Sequence, residues 1–158
     1  MRIRDWQPDD ATALRAVFES AVHRLAGAYY TREQCAAWAS AAHERAAWAG
    51  RLARNAPFVV ELDGRIAAFA DLQPDGGIDM FFVHADAARR GVGAALLAHI
   101  ERTARQRGNA ALRADVSLAA EAFFTRYGFT VVARRIARRN GVDLANARMR
   151  KILAPGAA

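Results

Sequence analysis

Residues 89–93 read Arg-Arg-Gly-Val-Gly. They follow the apolar run Phe81-Phe82-Val83 and a short loop, and an amphipathic stretch begins at once after them. Two glycines at the entry of a helix let the backbone approach a ligand closely. The N–H groups of a first helical turn lack intrahelical partners, and with the positive end of the helix dipole they suit a phosphate. Asp79 is the second candidate for chemistry. It is an acid inside an otherwise apolar run, 78–83, that reads as a strand, and period two puts it on one face with Phe81 and Val83. Such a carboxylate is a candidate base or substrate contact. It is equally suited to capping a hairpin or pairing with an arginine. Asp71 and Asp115 lie near strand ends and read as hydrogen-bonded structural acids.

The strand, loop, Gly-x-Gly and helix resemble the acyl-CoA-binding motif of the GNAT-type N-acetyltransferase superfamily, Gln/Arg-x-x-Gly-x-Gly/Ala. Gly91 and Gly93 fill the glycine positions, and Ala88 stands where Gln or Arg is usual. A second segment, 117–129, reads Ser-Leu-Ala-Ala-Glu-Ala-Phe-Phe-Thr-Arg-Tyr-Gly-Phe. It is similar to the family's Asn-x-x-Ala-x-x-Phe-Tyr-x-Lys/Arg-x-Gly-Phe. Ala120, Phe123, Arg126, Gly128 and Phe129 match, while Ser117 replaces Asn and Phe124 replaces Tyr. The order of elements agrees with the family over nearly the whole chain.

The resemblance implies an α/β fold of the α+β type. Its mixed, mainly antiparallel central sheet has splayed middle strands and is flanked by helices. It implies one N-acetyltransferase domain over 1–153, with a disordered tail at 154–158. It implies acetyl-CoA as cosubstrate, no metal, and direct attack of a primary amine on the thioester without an acyl-enzyme. Main-chain groups around Phe82 and Val83 would hold the pantetheine and polarise the carbonyl. Arg89, Arg90, Gly91, Val92, Gly93 and Ala94 would hold the pyrophosphate, and Ser117, Ala120, Phe124 and Arg126 would complete the cofactor site. The family often uses the tyrosine of its Phe-Tyr pair as the acid toward the leaving thiolate. Phe124 lacks that hydroxyl, so Tyr127 or a water would take the role, unless Tyr127 simply packs beside Gly128. The acceptor pocket would come from the first three helices, where Tyr29 and Tyr30 stand at a helix break. The lost hydroxyl also motivates a second reading, a catalytically weak CoA-binding sensor or interaction module.

The elements that must position these residues follow from pattern. Residues 2–6 read as a first strand. Pro8-Asp9-Asp10 opens a helix whose apolar positions recur to Leu25. Thr31 is an N-cap for a second helix to about 41, and a third spans about 44–54. Strands are expected over 58–62 and 65–72, joined by Asp63-Gly64, and then over 78–83. A long helix follows over 91–107, a strand over 111–116, a short helix over 118–127, and strands over 129–137 and 144–152 across Asn140-Gly141. A dinucleotide-binding fingerprint fails, because Leu96 occupies its third glycine position.

At 158 residues the chain fits one domain, and no stretch approaches a membrane span. The single cysteine, Cys35, cannot form an internal disulfide, which fits a reducing cytoplasm. No paired Cys/His spacing marks a zinc site. The net charge of +7 comes from arginines scattered along the chain, with lysine only at 151. That scatter argues against nucleic acid as the partner, and the resemblance implies a small-molecule amine or peptide amine. A homodimer is common in the resembled family, though no residue marks one.

Overall fold

The computed structural model describes residues 1–154, so the remainder of the expected 154–158 tail lies outside the described residues. The strands are β1 (Arg2–Asp5), β2 (Phe58–Leu62), β3 (Arg65–Ala70), β4 (Gly77–Ile78), β5 (Phe81–Val83), β6 (Ala111–Ser117), β7 (Thr130–Arg139) and β8 (Val142–Ile152). The helices are α1 (Ala11–Ser20), α2 (Arg32–Trp38), α3 (Arg45–Asn55), α4 (Val92–Gln106) and α5 (Glu121–Arg126). The expected long first helix ends at Ser20. The chain then passes through a wider π turn, Ala21–Leu25, and a 3-10 turn, Ala26–Ala28.

Two four-stranded sheets result, ordered β1-β2-β3-β5 and β4-β6-β8-β7. All pairings are antiparallel except β4 with β6. The single strand expected over 78–83 is therefore split between the sheets, with Asp79 and Met80 at the break. Asp71 explains the split. Its carboxylate accepts the N–H groups of Asp79 at 2.9 Å and of Met80 at 2.9 Å. Those donors would otherwise be orphaned where the strand leaves one sheet for the other. The price in desolvation falls on Asp71 itself, which is fully buried. Burial pushes its carboxyl above the ordinary carboxylate value, although Gln73 and the two backbone groups pull the other way.

Packing follows the strand period. Val60, Ala68 and Ala70 join Leu96, Leu97 and Ile100 of α4 in one core. Val59 and Phe69, pointing the other way, join Leu14, Phe18, Trp48 and Leu52 of α1 and α3. The first sheet is thus covered on both faces. The second sheet sends Leu112, Ala114, Val116, Ala147 and Met149 to the α4 core. Its opposite face, with Arg113, Asp115, Asn146 and Arg148, is left as the wall of a cleft.

Candidate active site

The cleft has a volume of about 870 Å³ and opens where the sheets part. β4 meets β6 only at Gly77↔Arg113 and Ile78↔Ala114, whereas β6 runs on to Ser117. Beyond the break β5 pairs with β3 alone. Asp71 N donates to Met80 O at 3.1 Å and His84 N to Ala67 O at 2.8 Å. With the register Phe69↔Phe82, these bonds fix the alternation. The main-chain groups of Met80, Phe82 and His84 face β3, and those of Phe81 and Val83 face the gap. The expectation at Phe82 is corrected accordingly. Its N–H and C=O are spent on the ladder, and its ring lines the cleft instead. Phe81, named in the sequence only as a neighbour, takes its place beside Val83.

Asp79 stands at the mouth of this gap rather than in a strand. It is not buried: its side chain is 48% exposed and pairs with Arg51 of α3. Arg51 reaches Asp79 Oδ2 at 3.1 and 3.3 Å, and Asn55 Nδ2 reaches the same oxygen at 2.7 Å. Asn55 also spans to Asp71 Oδ2 at 3.2 Å. Every one of these bonds falls on Oδ2, and Asp79 is among the residues that line the cleft. No sequence pattern marks Arg51 and Asn55. They are i, i+4 on α3, and only the tertiary fold brings that helix face to the break.

The phosphate motif begins with two left-handed residues, Arg89 at φ 62° and Gly91 at φ 79°. Gly91 is the N-cap of α4 without a side-chain cap, and its carbonyl accepts Ala95 N. The N–H groups of Val92, Gly93 and Ala94 are therefore the open first turn. A Cβ on Gly93 would sit 3.3 Å from Phe123 and 3.6 Å from Val83. The missing side chain keeps α4 close to α5 and β5. Val92 buries its own side chain in the core. Arg90 pairs with Asp63 at 2.9 Å, and Arg89 is exposed.

Ser117, Ala120 and Phe124 line the cleft across the gap. Ser117 Oγ accepts Ala120 N at 3.2 Å, and Phe124 packs edge-on against Phe81 at 5.3 Å. Three expected residues do not join them. Tyr127 is not among the cleft residues; its ring packs on Phe123 at 5.0 Å, and its carbonyl accepts the Lys151 ammonium at 2.7 Å. Arg126 lies over the Tyr127 ring and shares a shallow surface hollow with Tyr29, apart from the cleft. Arg126, in the last turn of α5, is exposed, while Tyr127 packs against the core beside it.

Tyr30 does line the cleft, but its hydroxyl is committed. It donates to Ala145 O at 2.6 Å and accepts Leu118 N at 2.9 Å. Asp115 is paired with Arg148 at 2.8 Å, and that guanidinium holds its carboxyl below the usual range. Cys35 is buried in α2, away from the cleft, and burial raises its thiol. Among the described residues no cluster of His, Cys, Asp and Glu could hold a metal, and no helix is long and apolar enough to cross a membrane.

The chain has counterparts among known proteins. The acetyltransferase (GNAT) domain family matches residues 27–153. The uncharacterized N-acetyltransferase YafP of Escherichia coli (strain K12) is 33% identical over 150 residues, covering 95% of each chain. A GCN5-related N-acetyltransferase structure from Rhodopseudomonas palustris is 37% identical with a TM-score of 0.92, covering 96% of this chain and 95% of that one. In fold alone, the chain also matches YncA of Salmonella typhimurium, a putative acetyltransferase solved with acetyl-CoA. There the identity is 21% and the TM-score 0.68, over 100% of this chain and 96% of that one. The protein is thus a member of the GNAT N-acetyltransferase superfamily.

Proposed function

We propose that this chain transfers an acetyl group from acetyl-CoA to a primary amine by direct attack, with Asp79 receiving the amine. The observation that carries this reading is the outward edge of β5, where the main-chain groups of Phe81 and Val83 have no strand partner, next to Asp79, which lines the cleft with Phe81. The residues present suit the cosubstrate. The free N–H groups of Val92, Gly93 and Ala94 match a pyrophosphate, and Gly93 lets α4 bring them close to β5.

The thioester supplies an activated acyl carbon. Main-chain N–H groups of the β5 edge donate to its carbonyl oxygen as charge gathers there. Asp79 Oδ1 takes the ammonium of the acceptor and accepts its proton, while Arg51 and Asn55 fix the carboxylate through Oδ2. The amine nitrogen then bonds to the acyl carbon, the carbon–sulfur bond breaks, and the second proton, which the nitrogen sheds as it becomes an amide, passes through water to the departing thiolate. Water serves because Phe124 has no hydroxyl and the Tyr30 hydroxyl already donates to Ala145. The thiol of Cys35 is buried outside the cleft, so no acyl-enzyme forms on it.

The test is calorimetry with acetyl-CoA, followed by thiol release across a panel of amines. Saturable binding and turnover are expected. Absence of binding at millimolar acetyl-CoA overturns the reading. Binding without turnover of any amine would instead favour the sensor role that the lost hydroxyl at Phe124 suggests.

A further inference from the structure

The wall of the cleft formed by β6, β8 and β7 carries more positive charge than its acids neutralise. Arg51, Arg113 and Arg148 are paired with Asp79, Asp75 and Asp115, at 3.1, 3.1 and 2.8 Å. Arg135 and Arg139 also line the cleft and have no carboxylate partner among the described residues. The strand registers place Arg135 directly across from Asn146 on β8, and Asn146 across from Ser117 on β6. This row ends at the gap. The Oδ1 of Asn146 is buried without a hydrogen-bond partner. Arg139, four residues further along an extended strand, lies roughly 13 Å away.

Arg135 cannot be assigned to the cosubstrate's phosphates. Ala147 and Met149 of β8 point into the core with Leu96 and Leu97 of α4. Asn146 and its neighbours Arg135 and Ser117 therefore face the opposite side of the sheet from the phosphate motif. Nor is Arg135 the natural partner of Asp115, because Arg148 already holds both oxygens of that carboxylate, at 2.8 and 3.2 Å.

Resting on the acetyl-transfer reading above, we propose that the acceptor amine also bears a carboxylate, which Arg135 and Asn146 bind while Asp79 takes the amine. The substrate class is then an amine that also carries a free acid, an amino acid or a short peptide, held by its two opposite charges. A guanidinium presents paired donors that match a carboxylate, and Asn146 adds the N–H donors of its side-chain amide, whose oxygen can only accept.

The experiment compares amino acids with their carboxamides, matched in size, as acceptors for saturating acetyl-CoA. The acid of a pair is expected to exceed its amide by about 10- to 100-fold in kcat/KM, the scale of a charged hydrogen bond. Arg135→Gln should erase that preference by lowering the acid and leaving the amide unchanged. Arg138→Gln removes an equal charge from the other face of β7, where Arg138 pairs with Asp143 at 3.0 Å, and should leave the preference intact. Equal use of acid and amide by the wild type overturns the proposal. So does an equal loss for both acceptors in Arg135→Gln, or the same loss in Arg138→Gln. Turnover of neither acceptor with acetyl-CoA still bound overturns it too, and leaves the cosubstrate assignment standing. Failure to bind acetyl-CoA is the separate failure of the acetyl-transfer reading, and the proposal falls with it.

Discussion

Asp79 is the residue on which the proposed chemistry turns, and its two oxygens have different tasks. Oδ2 collects Arg51 and Asn55, and Oδ1 is the oxygen proposed to receive the amine. Asp79→Asn preserves volume and keeps an oxygen, but it removes the charge that holds an ammonium and accepts its proton. It is expected to lower kcat by roughly 10²-fold, the scale of lost general-base catalysis. Affinity for acetyl-CoA, measured by calorimetry, should stay within a factor of two or so, because the phosphate motif is untouched. A variant that turns over at the wild-type rate would leave Asp79 as no more than the ion-pair partner of Arg51. The sequence singled out Asp79 for the wrong surroundings. An acid in an apolar run suggested burial in a strand. The buried acid is Asp71, eight residues earlier, and it creates the break at which Asp79 becomes accessible.

At the scale of elements, the hairpin β2–β3 was legible because Asp63-Gly64 and the β-branched run act locally. The helix after Gly91 was legible for the same reason, through glycine placement and apolar period. The division of 78–83 between two sheets was not, since it depends on hydrogen bonds to a side chain from β3's far end. The two glycines of the phosphate motif looked equivalent in sequence, and the structure separates them. Gly91 sits at φ 79° with open space around it. Gly91→Ala therefore puts a side chain in a left-handed conformation at a cost of about 1 kcal/mol, without obstructing the site. A valine at Gly93 would press on Phe123 and Val83 and wedge α4 from α5 and β5. Gly93→Val is expected to weaken acetyl-CoA binding more than tenfold, about 1.4 kcal/mol, while Gly91→Ala shifts it by far less. Calorimetry on both variants, with urea titrations to establish folding, distinguishes the two. Equal affinities in the two folded variants would place the cosubstrate elsewhere.

For the whole molecule, the question is what holds the helical layer over the second sheet, because that closure makes a cleft of an open face. Tyr30 bridges residues far apart in the chain. Its hydroxyl ties the turn after α1 to Ala145 of β8 and to Leu118 after β6. No sequence pattern reveals such a tie, since it joins positions separated by 115 and 88 residues. Tyr30→Phe leaves the N–H of the half-buried Leu118 and the carbonyl of the exposed Ala145 without this partner, and a loss of about 1 kcal/mol is expected at pH 7. The pH dependence gives the test its sign. Burial raises the Tyr30 phenol above its ordinary value, whereas in the unfolded chain it ionises near pH 10, roughly the value for a free tyrosine. Above that pH the unfolded chain has lost a proton that the folded protein still holds, so this contribution to stability falls as pH rises. The gap in urea stability between wild type and Tyr30→Phe should therefore be full at neutral pH and narrow as pH climbs past roughly 10. A gap that stays constant across that range would mean that the phenol's hydrogen bonds do not pin the layers together.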